Sequence, residues 1–154
     1  QELTPKDIYD IARGNKAGNS DAAREAFRQL VVVLGDAVST LMTTFDAPVV
    51  IGGGLTGAMP LIFPAMLKEI RSAYTAYSGI EYPRLVQKVF NISDNNERKA
   101  FLNWKKSEVE VRDSGSRISY YAEARLPVGI SPIGTSNAIA LGAYAYALKK
   151  LGKA

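Results

Sequence analysis

The residues best suited to chemistry in this sequence lie in one short run, "VVIGGGLTGAMP" (Val49 to Pro60). Three glycines follow a β-branched stretch, and a Thr and a fourth Gly come just after. Glycines in such a place let the backbone approach a flat or anionic ligand, because no Cβ holds it off. Gly52, Gly54 and Gly57 match G-x-G-x-x-G, the dinucleotide fingerprint. The context argues against that reading. The fingerprint opens a βαβαβ unit, whereas two helical stretches precede this one, and the next strand, ending near Phe90-Asn91, has no acid at its tip to hold a ribose. Gly52 and Gly57 also have the four-residue gap of a P-loop, but Ala58-Met59 stand where Lys and Ser/Thr are required, so the outer phosphates would meet no point charge.

A third reading is an adenosine loop of the kind found in actin-like kinases. Gly52, Gly53, Gly54 and Leu55 would then lie against adenine and the inner phosphates, and the following helix would offer free N–H groups and a favourable dipole end. Thr56 would cap that helix or hydrogen-bond to the nucleotide. The plain alternative is a Gly-rich strand-to-helix turn with no ligand. Elsewhere the chemical repertoire is narrow. The chain has no Cys and no His, which removes disulfides, thiolate nucleophiles, imidazole bases and the usual zinc ligands. Any metal would be held by oxygen, and no residue stands out as catalytic or metal-ligating. Asp46 and Glu69, the acids nearest the loop, are read as a turn residue and a surface charge.

The elements that must carry this loop are legible in outline. At 154 residues the chain is one domain's worth, and 47% hydrophobic and 22% charged residues are ordinary globular values. "LTPKD" starts a helix: Thr4 caps, Pro5 takes the first helical position and Asp7 completes a capping box. A longer helix is expected over about Asp21–Phe45, with Ala26, Leu30, Val33, Leu34, Ala37, Val38, Leu41 and Met42 as its core stripe. "APVVIGG" reads as a parallel strand covered on both sides. Pro60 or Pro64 then opens a helix to about Tyr77, "YPRLVQKVFNIS" gives the next strand, and "SDNNERKAFLNW" a helix with Asp94 and Glu97 in capping-box positions.

Two alternating runs around Asp113-Ser114-Gly115-Ser116 predict a hairpin. Its apolar face is Val109 and Val111 on one strand and Ile118, Tyr120 and Ala122 on the other, expected to pack on the body or on a second subunit. "RLPVGIS" is another strand. The last helix, about Ser136 to Leu151, has Thr135 and Ser136 at its start and many small residues, which predict close packing against a neighbour. Helices alternating with strands give an α/β layering, with the glycine loop between a strand and a helix.

Charge is uneven. Residues 1–77 carry 7 basic and 8 acidic groups and residues 78–154 carry 12 and 7, for a net +4. The basic residues are scattered, which suits a solvated surface better than a nucleic-acid face. Gln1 to Asn15 has no apolar core of a signal peptide, and the longest apolar-rich run, Ala138 to Leu148, is too short to span a bilayer. The missing initiator Met leads to the expectation of a piece of a larger, or a processed, protein.

"LTPKDIYDIARGNKAGNSDAAREAF", a long helix and "FDAPVVIGGGLTGAMPLIFPAML" together resemble the C-terminal lobe of ROK-family sugar kinases and their repressor relatives. The resemblance covers about Thr4 to Leu67 and resumes at "VGISPIGTSNAIALGAYAYAL" (Val128 to Leu148), which is similar to the closing segment of glucokinase-like members. Between them, Tyr74 to Leu126 is longer than the family pattern and carries its own hairpin. The resemblance implies an RNase-H-like (actin-like ATPase) lobe, with a mixed sheet flanked by helices and an added hairpin near 106–125. It implies ATP held at Gly52, Gly53, Gly54, Leu55 and Thr56, with Thr135 and Ser136 beside them, and magnesium travelling with the nucleotide.

The implied whole is a cytoplasmic, homo-oligomeric kinase that phosphorylates a hexose, with no membrane contact. An N-terminal lobe, absent from this chain, would bring the carboxylate base, so this piece alone would be inactive. The alternative is a sugar-responsive repressor or a non-catalytic sugar- or nucleotide-binding protein. Nucleic acid enters only if a helix-turn-helix lies upstream.

Overall fold

A computed structural model of the chain describes residues 2–152. Gln1, the first residue of the N-terminal segment read above, and Lys153, one of the basic residues counted in the second half, lie outside the described residues. In chain order the elements are α1 (Pro5–Ala12), α2 (Ser20–Phe45), β1 (Val49–Ile51), a 3-10 turn (Thr56–Ala58), α3 (Met59–Ile70), β2 (Ala73–Thr75), β3 (Glu81–Pro83), β4 (Lys88–Asn91), α4 (Asn95–Leu102), β5 (Ser107–Glu110), β6 (Arg117–Tyr120), β7 (Arg125–Ile130) and α5 (Thr135–Lys150).

The α/β organisation is as expected, and its parallel and antiparallel pairings are divided among sheets. One three-stranded sheet, in the order β1-β7-β4, is parallel throughout; β2-β3 and β5-β6 are separate antiparallel ribbons. The strand nearest the C-terminus is therefore the middle one, even though it contains Pro127, which has no N–H to give to a ladder. Residues 82–93, read as one strand, divide between β3 and β4, which lie in different sheets. The helix after the glycines ends at Ile70 rather than Tyr77, because Ala73–Thr75 pair with β3. Pro60 sits in its first turn and Pro64 inside it.

Local signals explain the helix starts. Thr4 Oγ accepts from Asp7 N at 3.2 Å while the Asp7 carboxylate accepts from Thr4 N at 2.9 Å, the expected reciprocal cap. Asn19 caps α2 through Ala22 N, and α2 ends at Asp46, a turn residue as read, in the left-handed region (φ 46°) with its carboxylate accepting from Gln87. At α4 the expected box is only half made. Asp94 accepts from Asn96 N and Glu97 N, but Glu97 turns to Asn91 N and Arg71 instead. Burial of Glu97 would by itself raise its pKa, yet hydrogen bonds from Arg71 and Asn91 N outweigh burial and hold the carboxyl below its ordinary value. Arg71 also donates to Val89 O, so this pair ties α3, β4 and α4 together.

The core lies between α1, α2 and α3 and one face of the parallel sheet. Met42, Ile62, Met66, Ile70 and Val128 are its fully buried side chains. The stripe of α2 that enters it is Ala23, Phe27, Val31, Gly35, Ser39 and Met42, with Leu30, Leu34 and Val38 alongside. Ala26, Val33, Ala37 and Leu41 face out, which corrects the expected stripe. The reason is Gly35. A Cβ there would stand 2.6 Å from Glu69 Cγ, so at that point α2 meets α3 through a residue with no side chain, while Phe27, Val31 and Met42 of the same stripe are buried on either side of it. Ser39, beside it, satisfies its hydroxyl on Gly35 O at 2.7 Å. By length and hydropathy alone α2 would pass for a membrane span, but this stripe is packed in the core. Glu69 is also more than a surface charge, since Arg84 donates to Glu69, Asp36 and Ser72 at 2.6, 2.7 and 2.9 Å.

Expectations of cover fail at β1 and α5, and the option that the hairpin packs on the body fails with them. β1 is an edge strand; Val49 and Ile51 face the core, but Val50 is 65% exposed, so the sheet is covered there on one side only. Every residue of α5 is exposed except Leu148, which is half-buried, so its small residues pack on no neighbour among the described residues. The β5-β6 hairpin forms in register, Val109 opposite Ile118, yet both side chains and Tyr120 stay about half exposed, so that face does not pack on the body. Its base is held through Tyr121, which meets Trp104 edge-to-face at 4.5 Å.

Candidate functional site

Three parallel strands deliver three loops to one edge. β1 leads into Gly52–Leu55, β7 into Ser131–Gly134 and β4 into Ile92–Asp94. In open α/β sheets this carboxyl edge is where ligands are received. The strand ends are tied to each other: Ser131 N donates to Ile51 O (2.8 Å), Ile92 N to Val128 O (2.9 Å) and Ile130 N to Ser93 Oγ (3.0 Å). Gly129 makes this closeness possible, since a Cβ there would stand 2.7 Å from Ile92 Cγ1.

The glycine loop then lies open. Gly52 sits against Ser131, whose Cβ would be 3.7 Å from an added Cβ. Gly53 has φ +102°, a conformation that any L side chain resists, while its surroundings are empty. At Gly54 and Gly57 neither constraint applies: φ is ordinary and nothing lies within 4 Å of an added Cβ. The turn itself therefore requires glycine at 53 but not at 54 or 57, and the open cradle at 54 is the kind of surface a flat or anionic ligand can meet. Thr56 Oγ donates to Gly53 O at 2.9 Å, which closes the loop and leaves the hydroxyl only its acceptor side for anything else.

Leu55 is 40% exposed and borders an apolar slot walled by Pro5 and Ile8 of α1 and Ala26, Phe27 and Leu30 of α2. These five were not read as site residues, because they lie 25 to 50 positions before Leu55 and share no motif with the loop. The only signal was that they are apolar at the start of two helices. On the β7 side, Pro132 and Ile133 and the first turns of α5, at Asn137, Ala140 and Leu141, border an open hollow of about 530 Å³.

Thr135 and Ser136 begin α5 as predicted, but they do not cap it. The cap position is Gly134, with no side-chain hydrogen bond, so simple capping is not their role. The structure brings Gly52 beside the Ser131–Gly134 loop that leads to these two residues. Catalytic groups are another matter. Asp94, three residues beyond the end of β4, is committed to the start of α4, and no cluster of three or more His, Cys, Asp or Glu is placed to hold a metal among the described residues.

This chain superposes on the crystal structure of a glucokinase from Parabacteroides distasonis ATCC 8503 with a TM-score of 0.73 and 34% sequence identity. It is similar to part of a glucokinase. The match takes in 97% of this chain but 40% of that one, so the chain spans well under half the length of the glucokinase it resembles. No family model and no curated protein matches it. The likeness extends across both the glycine-loop region and the stretch with the added hairpin, since almost the whole chain is covered.

Proposed function

We propose that this chain is the C-terminal, nucleotide-side lobe of an ATP-dependent hexose kinase of glucokinase type, related to the ROK group. The observation that carries the reading is the open glycine cradle at the carboxyl edge of a parallel sheet, in a chain 34% identical to part of a glucokinase. ATP, when bound, supplies the phosphoryl group for a sugar hydroxyl. The chain's own part is to hold it: backbone at Gly53 and Gly54 receives the nucleoside and inner phosphates, the start of α5 at Thr135 and Ser136 faces the same site, and Leu55 closes one side. Magnesium would travel with the nucleotide, held by the phosphates and water.

The base that takes the sugar proton comes from a second lobe, and the same lobe covers α5. An apolar helix bare on all sides is the kind that is buried in a complete protein. The purified chain alone should therefore show no glucose-dependent ATP turnover.

Gly54→Val tests the reading cleanly, because it has neither a clash nor a positive φ to confuse it. ATP affinity of the chain, by calorimetry, should fall at least about tenfold, of order 1.4 kcal/mol, with an unchanged melting temperature. Unchanged affinity would reduce the loop to a turn.

A further inference from the structure

β4 closes the parallel sheet on the side opposite β1. Backbone groups along such a strand alternate between its neighbour and the outside. Lys88 N donates to Ala124 O and Ile92 N to Val128 O, both at 2.9 Å, so Lys88, Phe90 and Ile92 turn toward β7. Val89 and Asn91 turn away from it. A further parallel strand would meet these two with a single residue, whose N–H donates to Val89 O and whose C=O accepts from Asn91 N.

Both bonds are already made, by side chains. Arg71 donates to Val89 O through Nη2 at 2.8 Å and Nε at 3.1 Å, and the Glu97 carboxylate accepts from Asn91 N at 2.8 Å. Arg71 and Glu97 also bond each other, so donor and acceptor are joined as they are in one peptide residue. Each is set by the end of a helix: Arg71 follows the last turn of α3, and Glu97 lies in the first turn of α4. Glu97 turns to the strand in place of the reciprocal cap that its position in α4 offers. An ion pair that only joined two helices would have no need of this match, donor to carbonyl and acceptor to amide. Beside it lies an open hollow of about 580 Å³, bordered by the pair and by Ile70, Pro83, Leu85 and Val86, where side chains of an added strand would find apolar surface.

We propose that the Arg71–Glu97 pair stands in for one residue of a fourth parallel strand and so bars a second copy of this chain from adding to the sheet at β4. An edge strand is a template for pairing with another chain, and charge placed on it is one of the ways such pairing is blocked. Here the charge acts twice. It satisfies the backbone with charge-assisted bonds, stronger than those an incoming peptide offers in exchange. It also holds a guanidinium and a carboxylate, each partly exposed, where the incoming backbone would have to lie.

Exchanging the two residues, Arg71→Glu with Glu97→Arg, tests this. The ion pair is kept and its fit to the strand is reversed: a carboxylate faces Val89 O and a guanidinium faces Asn91 N. The readouts are sedimentation over a range of concentrations and amide hydrogen exchange at Asn91 by NMR, with the wild-type 154-residue chain as reference. In the exchanged variant and in Arg71→Ala/Glu97→Ala, Asn91 should exchange at least about tenfold faster when dilute, the loss of a bond to a charged group. When concentrated, both should associate more than the wild type, and Asn91 should regain protection as they do. Glu97→Gln keeps an acceptor for Asn91 N and leaves Arg71 in place, so it should behave as the wild type. If circular dichroism shows either double variant unfolded, Glu97→Ala alone, with Arg71 still on Val89 O, carries the same readouts. Wild-type behaviour of the exchanged pair would reduce Arg71 and Glu97 to a link between α3 and α4. Added association that leaves Asn91 unprotected, or faster exchange with no added association at any concentration, would equally overturn the proposal.

Discussion

α2 and α5 are both long, both rich in small and apolar residues, and opposite in what they do. α2 turns one stripe into the core, with Gly35 and Ser39 at its contact with α3, and its other side carries Arg24, Arg28 and Asp36. α5 has no charge before Lys149 and leaves nearly everything exposed. A charged side tells a helix which way to face; a helix without one states only that all of it needs cover. The difference separates a helix with a committed core face from one that leaves its apolar residues exposed.

The widest gap between the two regions should appear when large core residues are cut back. Ile62 has no exposure, so Ile62→Ala should cost about 2–5 kcal/mol in urea denaturation. Leu141→Ala in α5 should stay within about 0.5 kcal/mol. An equal loss at the two sites would mean that α5 is packed after all, within the chain or on another copy of it.

A sharper contrast uses one substitution twice. Alanine favours a helix over glycine by about 1 kcal/mol, so Gly142→Ala, with nothing within 4 Å, should raise the stability of α5 by up to that amount. Gly35→Ala should go the other way, by about 1–3 kcal/mol. The added carbon meets both Cβ and Cγ of Glu69, and Glu69 is held by Arg84, so the helices rather than a free side chain must yield. Opposite signs in circular-dichroism melts would establish the comparison, and matching signs would undo the Gly35 argument.

How far the sequence foretold all this depends on range. Thr4, Pro5 and Asp7 act within one turn, and they are read correctly from spacing alone. The Asp113–Ser116 turn, with positive φ at Asp113 and Gly115, is equally local. Gly35 and Ser39 were passed over as core because a pattern of large apolar residues cannot see that a neighbouring helix needs closeness. The central place of β7 depends on pairings with strands far away in the chain, and Pro127 argues locally against it. At the candidate site, the loop from Gly52 to Thr56 was legible as a unit. The slot was not, because Pro5 and Leu55 meet only after α1 and α2 have packed.

The smallest expected effect compares two helix starts. Thr4→Ala removes a reciprocal cap and should cost about 1 kcal/mol. Ser136→Ala removes no cap, because Gly134 holds that position, and should stay within about 0.5 kcal/mol. A full capping loss at Ser136 in thermal melts would show that its hydroxyl bonds a backbone amide of α5.

The order β1-β7-β4 also sets a schedule for synthesis. Val49 pairs with Val128 and Phe90 with Pro127, so the two outer strands leave the ribosome long before the strand that joins them. At about 5–20 residues per second, the interval from β1 to β7 is roughly 4–16 s. During that time α1, α2 and α3 can gather, but the Val49 and Val89 side chains have no sheet to belong to. Truncation anywhere before Arg125 removes the middle of the sheet rather than its margin. A nascent chain stalled there would show α-helical contacts and two unpaired strands, an invitation to chaperones that ends when six residues, Arg125 to Ile130, emerge together.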